Sequence, residues 1–231
     1  MLTYTIVRLS PSDTVRVREF LVKTFFKDEP LNIAIGLVQD GQRCLELEEY
    51  CTMPLSQGVS LGAINEKNEL VGVSINNINY RRESISGPAD SGDEDCTHPK
   101  FKLILAFLKW LDKKVDVFSK FENINKYLDI SILSTDPAYR GQGIAKKLIY
   151  ESIDSALDND IPLIKVDCTS RFSAKAVTRL GFSSIFNVAY DEYTGPDNKP
   201  VFSPPPPHDG ASCCILDVKR FQQERGNIIN A

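Results

Sequence analysis

The sequence predicts a single α/β domain with a mixed sheet and flanking helices, and three observations lead to this prediction. Short segments of β-branched or period-two character alternate along the chain with longer segments of helical periodicity. A glycine-containing turn before residue 144 joins a predicted strand to a long predicted helix. No linker rich in proline, glycine or serine divides the 231 residues, a length that suits one substantial core.

The N-terminal third is predicted to contain one strand, then helices, then two further strands. Tyr4–Arg8 alternates as a strand does, and the segment SPSD at 10–13 offers capping side chains for the following helix. That helix ends before Pro30, because proline disfavours helical geometry at the residue before it. Further helices are predicted over about 31–38 and 42–52, and strands at 59–64 and 70–78 with a polar turn between them.

The remainder begins with a predicted loop at 81–99. This loop contains an acidic run, Asp90 to Asp95, which lacks the ligand spacing of a calcium-binding hand. Helices are predicted at 101–118, 143–157 and 172–180, and strands at 127–133, 163–168, 184–190 and 211–218. The proline run at 204–207 is interpreted as a rigid spacer, and the residues after 219 as a short tail.

The composition is that of an ordinary soluble globular protein. Apolar residues make up 42% and charged residues 25%, which excludes the disordered, collagen-like and membrane classes. We expect no signal peptide or spanning helix, and the net charge of −4 gives no general reason to bind nucleic acid or anionic lipid. The six cysteines have no C-x-x-C spacing, so we expect no metal site, no disulfide framework and a reducing, cytoplasmic location.

The strongest chemical signal is the segment LSTDPAYRGQGIAK at 133–146. A strand ends, an Asp-Pro turn follows, and glycines open a long helix. The N-terminus of a helix exposes unpaired N–H groups and the positive end of its dipole, which together bind phosphate. Gly141 and Gly143 let the backbone approach an anion closely, and Arg140 and Lys146 add positive charge.

Two well-known phosphate loops do not fit this segment. The nucleoside-triphosphate loop requires Gly-Lys-Ser/Thr, whereas Gly143 is followed by Ile144 and Ala145. The dinucleotide fingerprint requires a third glycine where Lys146 stands. Instead, RGQGIA at 140–145 matches the R/Q-x-x-G-x-G/A signature and resembles the GNAT superfamily of N-acetyltransferases.

This resemblance implies a fold and a cosubstrate. The GNAT fold has a central mixed, mostly antiparallel twisted sheet flanked by helices, with a splayed strand pair that admits acetyl-CoA. The order of our predicted elements agrees with it, and RLGF at 179–182 resembles a late segment of the superfamily. In the superfamily the loop amides hold the pyrophosphate, and the preceding strand pairs with the pantetheine arm. The implied cofactor-binding residues here are Ile132, Leu133, Ser134, Arg140, Gly141, Gln142, Gly143, Ile144, Ala145, Lys146 and Ser173.

Further segments, from about residue 4 to 219, are similar to the insect arylalkylamine N-acetyltransferases. They are FFKDEPLN at 25–32, HPKF at 98–101, the loop at 136–145, SRFSA at 170–174, LGF at 180–182 and PPHDG at 206–210.

This second resemblance implies roles for individual residues. Glu29 corresponds to the glutamate assigned as general base, which also attracts the cationic amine. Ser173 corresponds to a serine beside the thiol of the coenzyme. Thr169 and Ser170 carry hydroxyls that act either as helix caps or in proton transfer, and both interpretations stay open. His208 resembles a histidine near the amine pocket.

The resulting hypothesis is direct acetyl transfer from acetyl-CoA to an arylalkylamine such as dopamine, octopamine, tyramine, tryptamine or serotonin. A polyamine, agmatine, histamine or another small amine is the alternative acceptor. A protein of a different class, an acyl-CoA-binding sensor without catalysis, is the third hypothesis. We expect a monomer whose partners are the small amine and acetyl-CoA, without nucleic acid or membrane.

Overall fold

The computed structural model describes residues 3–38, 42–81 and 96–229, so the acidic run Asp90 to Asp95 lies outside the described residues. The strands are β1 (Tyr4–Arg8), β2 (Leu61–Asn65), β3 (Leu70–Tyr80), β4 (Lys126–Thr135), β5 (Leu163–Cys168), β6 (Ser183–Ala189) and β7 (Gly210–Asp217). The α-helices are α1 (Thr14–Lys23), α2 (Phe25–Asp28), α3 (Pro30–Ile35), α4 (Leu45–Thr52), α5 (Pro99–Val115), α6 (Val117–Lys120), α7 (Ile144–Asp158), α8 (Arg171–Thr178) and α9 (Val218–Ile229).

The seven strands form a single sheet in the order β1-β2-β3-β4-β5-β7-β6. All neighbours are antiparallel except β4 and β5, which run parallel. A bulge interrupts the pairing of β3 with β4, because Ile130 and Ile132 face consecutive residues of β3 and Ser131 is the extra residue. The sheet is therefore mixed and mostly antiparallel, as predicted.

β4 and β5 pair over a short stretch only. Leu128 faces Ile164 and Asp129 faces Lys165, and no further pair joins the described residues of these two strands. β5 is held on its other edge by six pairs with β7, from Leu163 to Cys168. We call the point after the Asp129–Lys165 pair, where the pairing stops, the fork.

The helical region before β2 is more divided than the sequence pattern indicates. The helix expected to run up to Pro30 is interrupted at Thr24, whose backbone lies at φ −121° and ψ −85°. The Thr24 hydroxyl donates to the carbonyl of Phe20 at 2.8 Å and accepts from the Ser134 hydroxyl at 3.1 Å. Glu29 is extended, as a residue before proline should be, and it separates α2 from α3.

Two further helix predictions need correction. The helix expected over 101–118 ends at Val115, because Asp116 adopts the left-handed conformation. Asp116 is the N-cap of α6, since its carboxylate accepts from the N–H of Ser119. The residues after 219, expected to be a short tail, belong to α9. That helix is mostly polar, and Phe221 packs against Tyr150 of α7 with 6.2 Å between the ring centroids.

The sheet separates two apolar layers. On one face the largest group of buried side chains comes from α1, α3, α4 and α5 with β3 and β7. On the other face, Leu128, Ile130, Ile164 and Val166 pack against α7. Within the described ranges, no helix is both long enough and apolar enough to cross a membrane.

Candidate active site

The segment after β4 forms a turn before α7. The carboxylate of Asp136 accepts from the N–H of Ala138 at 2.8 Å and starts a 3₁₀ turn over Pro137–Tyr139. Gly141 and Gly143 then adopt φ of 78° and 80°, a region that L side chains rarely occupy. A Cβ atom at either glycine would meet no atom within 4 Å, so both face open space. The backbone of this turn is therefore accessible from outside.

The amides of this turn are available to a ligand. Among the hydrogen bonds of the described residues, none uses the backbone N–H groups of residues 141–146 as donors. A helix N-terminus with free N–H groups binds anions well. The Arg140 guanidinium pairs with the carboxylate of Asp28, while Nζ of Lys146 lies 5.5 Å from the centroid of the Tyr150 ring. The structure thus places one cation of the predicted set, Arg140, against α2.

The edge of β4 beyond the fork offers further backbone groups. Ile132, Leu133 and Ser134 pair with β3 on one side. On the side of β5, no strand of the described chain pairs with them. An extended segment with a free edge can add a ligand by strand-like hydrogen bonding.

Glu29 is held between α2 and α3 and close to the end of β5. Its carboxylate accepts from the N–H of Leu31 at 3.3 Å and from the hydroxyl of Thr169. Burial raises the pKa of Glu29 to about 7, although both hydrogen bonds act in the opposite direction. A carboxyl with this pKa exchanges protons near neutral pH, as a general base must.

The three hydroxyls after β5 have different surroundings. Ser170 caps α8, because its Oγ accepts from the N–H of Ser173 at 3.0 Å. Oγ of Ser173 donates to the carbonyl of Ser170 at 2.9 Å and lies beside the thiol of Cys168. Thr169 reaches Glu29. Ser170 is therefore a cap of α8, and Thr169 adjoins the carboxylate of Glu29.

Cys168 lies close to these hydroxyls but is 1% exposed. A hydrogen bond with the thiol of Cys214 and burial both raise the pKa of Cys168, so it stays a neutral thiol. It is a strand residue, as predicted. Within the described ranges, no group of three or more His, Cys, Asp or Glu side chains is placed to hold a metal ion.

Tyr190 is a further residue of this site and is only 3% exposed. Its hydroxyl donates to the carbonyl of Thr169 at 2.5 Å. Burial and the nearby charge of Glu29 raise the pKa of Tyr190, so the phenol keeps its proton. No sequence pattern pointed to this residue, which immediately follows β6 and resembles any core tyrosine.

A cavity of ≈ 320 Å³ opens beside Tyr190. Phe202, Pro204 and His208 contribute to its lining, with Asp191 and Asp209 among the polar residues. Behind Tyr190 and Phe202 lies an aromatic cluster completed by Phe107, Trp110 and Tyr193. Apolar and aromatic side chains with a few polar groups are typical of the lining of a small-molecule site.

His208 lies in this lining and joins it to α8. Its Nδ1 accepts from the N–H of Arg171 at 3.3 Å. Its ring meets the exposed ring of Phe172 edge-on, with centroids 5.3 Å apart. His208 and Glu29 are thus both connected to the segment 169–173, one through Arg171 and the other through Thr169.

Comparison with known proteins shows the family of the chain and similar folds. The model of the Acetyltransferase (GNAT) family matches residues 115–182. Arylalkylamine N-acetyltransferase 2 from Aedes aegypti, known from a crystal structure, is 31% identical in sequence to this chain. The two structures match with a TM-score of 0.85 over 94% of this chain and 99% of the mosquito chain. The putative arylalkylamine N-acetyltransferase 7 from the same mosquito is 25% identical, with a TM-score of 0.78 and coverages of 93% and 87%.

A similar fold also occurs in an enzyme with a different acceptor. The polyamine N-acetyltransferase of Drosophila melanogaster, which forms N-acetylagmatine, has a TM-score of 0.81 and covers 93% of this chain and 100% of its own. At 22% identity this likeness concerns the fold alone.

Proposed function

This chain belongs to the GNAT acetyltransferase family and has its fold, and from that premise we propose that it transfers the acetyl group of acetyl-CoA to the primary amine of an arylalkylamine. The observation that carries the proposal is the position of residues 28 and 29 at the open end of the fork. Asp28 pairs with Arg140 in the loop after β4, and Glu29 accepts from Thr169 just after β5. We take the Glu29 carboxyl, whose pKa is raised to about 7 by burial, to face the cleft between the two strands.

Acetyl-CoA binding follows from backbone groups. The free amides of residues 141–146 bind the diphosphate, and the positive end of the α7 dipole adds to this attraction. The pantetheine arm hydrogen-bonds to the open edge of β4 at Ile132, Leu133 and Ser134. This places the thioester beyond the fork, towards Glu29 and Ser173.

The acceptor must lose a proton before or during attack. An alkylamine resembling lysine has a pKa of ~10.4, so about one molecule in a thousand is neutral near pH 7. The Glu29 carboxylate attracts the ammonium ion and accepts a proton from it, directly or through water. Thr169 and Tyr190 keep that carboxylate in place.

Acetyl transfer forms one bond and breaks another. The nitrogen lone pair forms the new C–N bond at the thioester carbonyl, and the C–S bond breaks. The sulfur leaves as a thiolate. It accepts a hydrogen bond from Ser173, whose hydroxyl turns from the carbonyl of Ser170 to donate it, and finally takes up a proton. The ammonium ion gives up two protons in all. The first passes to Glu29 before the attack and is then released to solvent, and the second leaves the nitrogen once the C–N bond has formed and matches the proton that the thiolate takes up. His208 shapes the acceptor side of the site.

The aromatic wall supports an arylalkylamine as the acceptor. Tyr190 and Phe202 line the cavity, and aromatic rings favour edge-to-face or offset contacts with one another. Asp191 and Asp209 at the same cavity favour a second candidate, a diamine or agmatine with a second cationic group. An acyl-CoA-binding sensor without catalysis is the candidate of another class, and the pKa of Glu29 argues against it.

The direct test is release of coenzyme A thiol from acetyl-CoA in the presence of arylalkylamines, polyamines, agmatine and histamine. We expect the highest kcat/KM with a ring-bearing amine, and a reduced kcat for Ser173→Ala. Ser184→Ala, which alters an exposed serine of β6, is the control. Highest kcat/KM with a diamine would replace the arylalkylamine assignment, and coenzyme A binding without turnover of any amine would support the sensor.

We further propose a single catalytic domain that acts as a monomer in a reducing, cytoplasmic compartment. The six cysteines support the compartment, because all six are buried thiols rather than disulfides. Sedimentation of the purified chain tests the monomer.

A further inference from the structure

A buried lysine lies at the fork. Lys165 belongs to the last pair between β4 and β5, opposite Asp129. Only 3% of Lys165 is exposed, and a lysine is almost never fully buried unless its charge is paired. Its neighbours must therefore account for its position.

Three carboxylates from three elements surround the ammonium group. Nζ of Lys165 lies 2.6 Å from Oδ1 of Asp112 on α5 and 2.6 Å from Oδ2 of Asp167 on β5. It lies 3.9 Å from Oδ1 of Asp129 on β4. Burial alone lowers the pKa of Lys165, but the three carboxylates outweigh it and the pKa is raised, so the side chain stays charged. One charge thus joins α5, β4 and β5.

The same contacts reach the bulge of β4. The second oxygen of Asp129 accepts from the hydroxyl of Ser131 at 2.7 Å. Ser131 is the extra residue of the bulge, and a bulge changes the direction of the strand beyond it. Because Lys165 holds Asp129 and Asp129 holds Ser131, the lysine influences the direction of residues 132–134.

Stability alone is a weak explanation for such a cluster. Removing charged groups from water costs free energy, and well-packed apolar side chains are often at least as stabilising. Apolar packing does not fix a distance between two strands as directional ion pairs do. Beyond the fork, β5 is paired only with β7 in the described chain, so its distance from β4 needs another restraint.

We infer that Lys165 is a positioning residue for the acetyl-CoA cleft, holding β4 and β5 at the separation and direction that the pantetheine arm requires. The inference rests on the proposed function, since it takes the cleft to be the coenzyme site. We place Lys165 in contact with neither the coenzyme nor the amine. It acts through Asp129 and Asp167.

The test compares Lys165→Met with Lys147→Met. Lys147 lies on α7 and makes an exposed ion pair with Glu151, so this control removes a lysine away from the fork. For Lys165→Met we expect KM for acetyl-CoA to rise by about tenfold or more, as small displacements of a binding group do, with KM for the amine changed less than about twofold. If Lys165 served only stability, Lys165→Met would lower the melting temperature and the active fraction, and KM for acetyl-CoA would stay unchanged.

Two further measurements make the outcome decisive. Asp129→Asn cuts the same connection with little change in shape, and it replaces Lys165→Met if that variant does not fold. Calorimetric titration of the unaltered protein with coenzyme A tests the premise separately. Lack of binding there removes the proposed function together with this inference. Coenzyme A bound by the unaltered protein, with unchanged KM for acetyl-CoA in a folded variant, overturns the inference alone.

Discussion

Replacing Glu29 with glutamine separates two effects of one half-buried carboxyl. Burial raises the pKa of Glu29 to about 7, so the carboxylate that can accept a proton forms above this pH and is lost as pH falls through it. Glutamine keeps an oxygen for the hydrogen bonds from Leu31 and Thr169, but it does not ionise. We therefore expect Glu29→Gln to lose activity while gaining stability at high pH.

The gain in stability can be estimated from the shift. The pKa is about 7 in the folded protein against an ordinary value of 4.5. The folded state binds the proton more tightly than the unfolded state, so ionisation of Glu29 costs stability as pH rises from 4.5 through 7. At about 1.4 kcal/mol per unit, the cost reaches about 3 kcal/mol above pH 8. Urea unfolding should show Glu29→Gln to be more stable by up to this amount at about pH 8.5, and nearly unchanged at about pH 4.5.

The loss of activity has its own pH dependence. For the unaltered enzyme, log(kcat/KM) should rise with pH below about 7 and level off above it, because the carboxylate accepts the proton of the bound ammonium ion. In Glu29→Gln only the free amine reacts, and its neutral fraction rises about tenfold per pH unit up to ~10.4. We expect a loss of about 10²–10³-fold at pH 7 that narrows towards pH 9.

The control is Glu49→Gln, which removes an exposed carboxylate from α4. Its kcat/KM and unfolding profile should follow those of the unaltered protein. A pH profile without an inflection between about 6 and 8, or near-full activity of Glu29→Gln at pH 7, would refute the role of Glu29. A stability gain that did not depend on pH would refute the burial argument.

Three further predictions concern the neighbouring groups. Gly143→Ala and Gly58→Ala place alanine at similar positive φ, 80° and 68°, with open space around both. Each variant should lose about 1–2 kcal/mol of unfolding free energy in urea. Only Gly143→Ala should also weaken coenzyme A binding in a titration. Tyr190→Phe removes the donor to the Thr169 carbonyl, so we expect a loss of about 1–3 kcal/mol in unfolding and a lower kcat with KM for acetyl-CoA unchanged. Ser170→Ala removes the cap of α8 and should cost about 1 kcal/mol in the same unfolding assay.

Each has an outcome that would count against it. Equal coenzyme A affinity in the two glycine variants would show that the turn before α7 does not hold the diphosphate. A changed KM for acetyl-CoA in Tyr190→Phe would place Tyr190 in coenzyme binding. Unaltered stability of Ser170→Ala would mean that its hydrogen bond contributes nothing net.

Local sequence patterns predicted the elements around the coenzyme loop well. Leu163–Cys168 was predicted with its observed bounds, and the helix expected at 143–157 is Ile144–Asp158. Both elements have a continuous apolar pattern that is bounded on each side by residues typical of turns, and such elements are the easiest to predict from sequence. Ser170 as a helix cap was one of two open interpretations, and its contact with Ser173 shows the cap.

The features that were missed depend on distant parts of the chain. Lys165 reads as an ordinary strand lysine, since its partners Asp112 and Asp129 are far away in sequence and only the fold assembles them. Tyr190 is a core aromatic until its hydroxyl is seen to reach Thr169. Helix α9 has few apolar residues, and its Phe221 packs against Tyr150, a residue of α7 that only the fold brings near.

The short pairing of β4 with β5 affects which substitutions the protein can accept. The coenzyme groove of the proposed function consists of main-chain N–H and C=O groups that no strand of the described chain pairs, and every residue type except proline supplies both of these groups. Side chains lining such a groove can be substituted with little effect on its shape, provided that the pairing of the two strands stops at the same residues. Acceptor specificity can therefore change in the loops beyond β5 and β6 while the acetyl-donor half of the enzyme stays as it is.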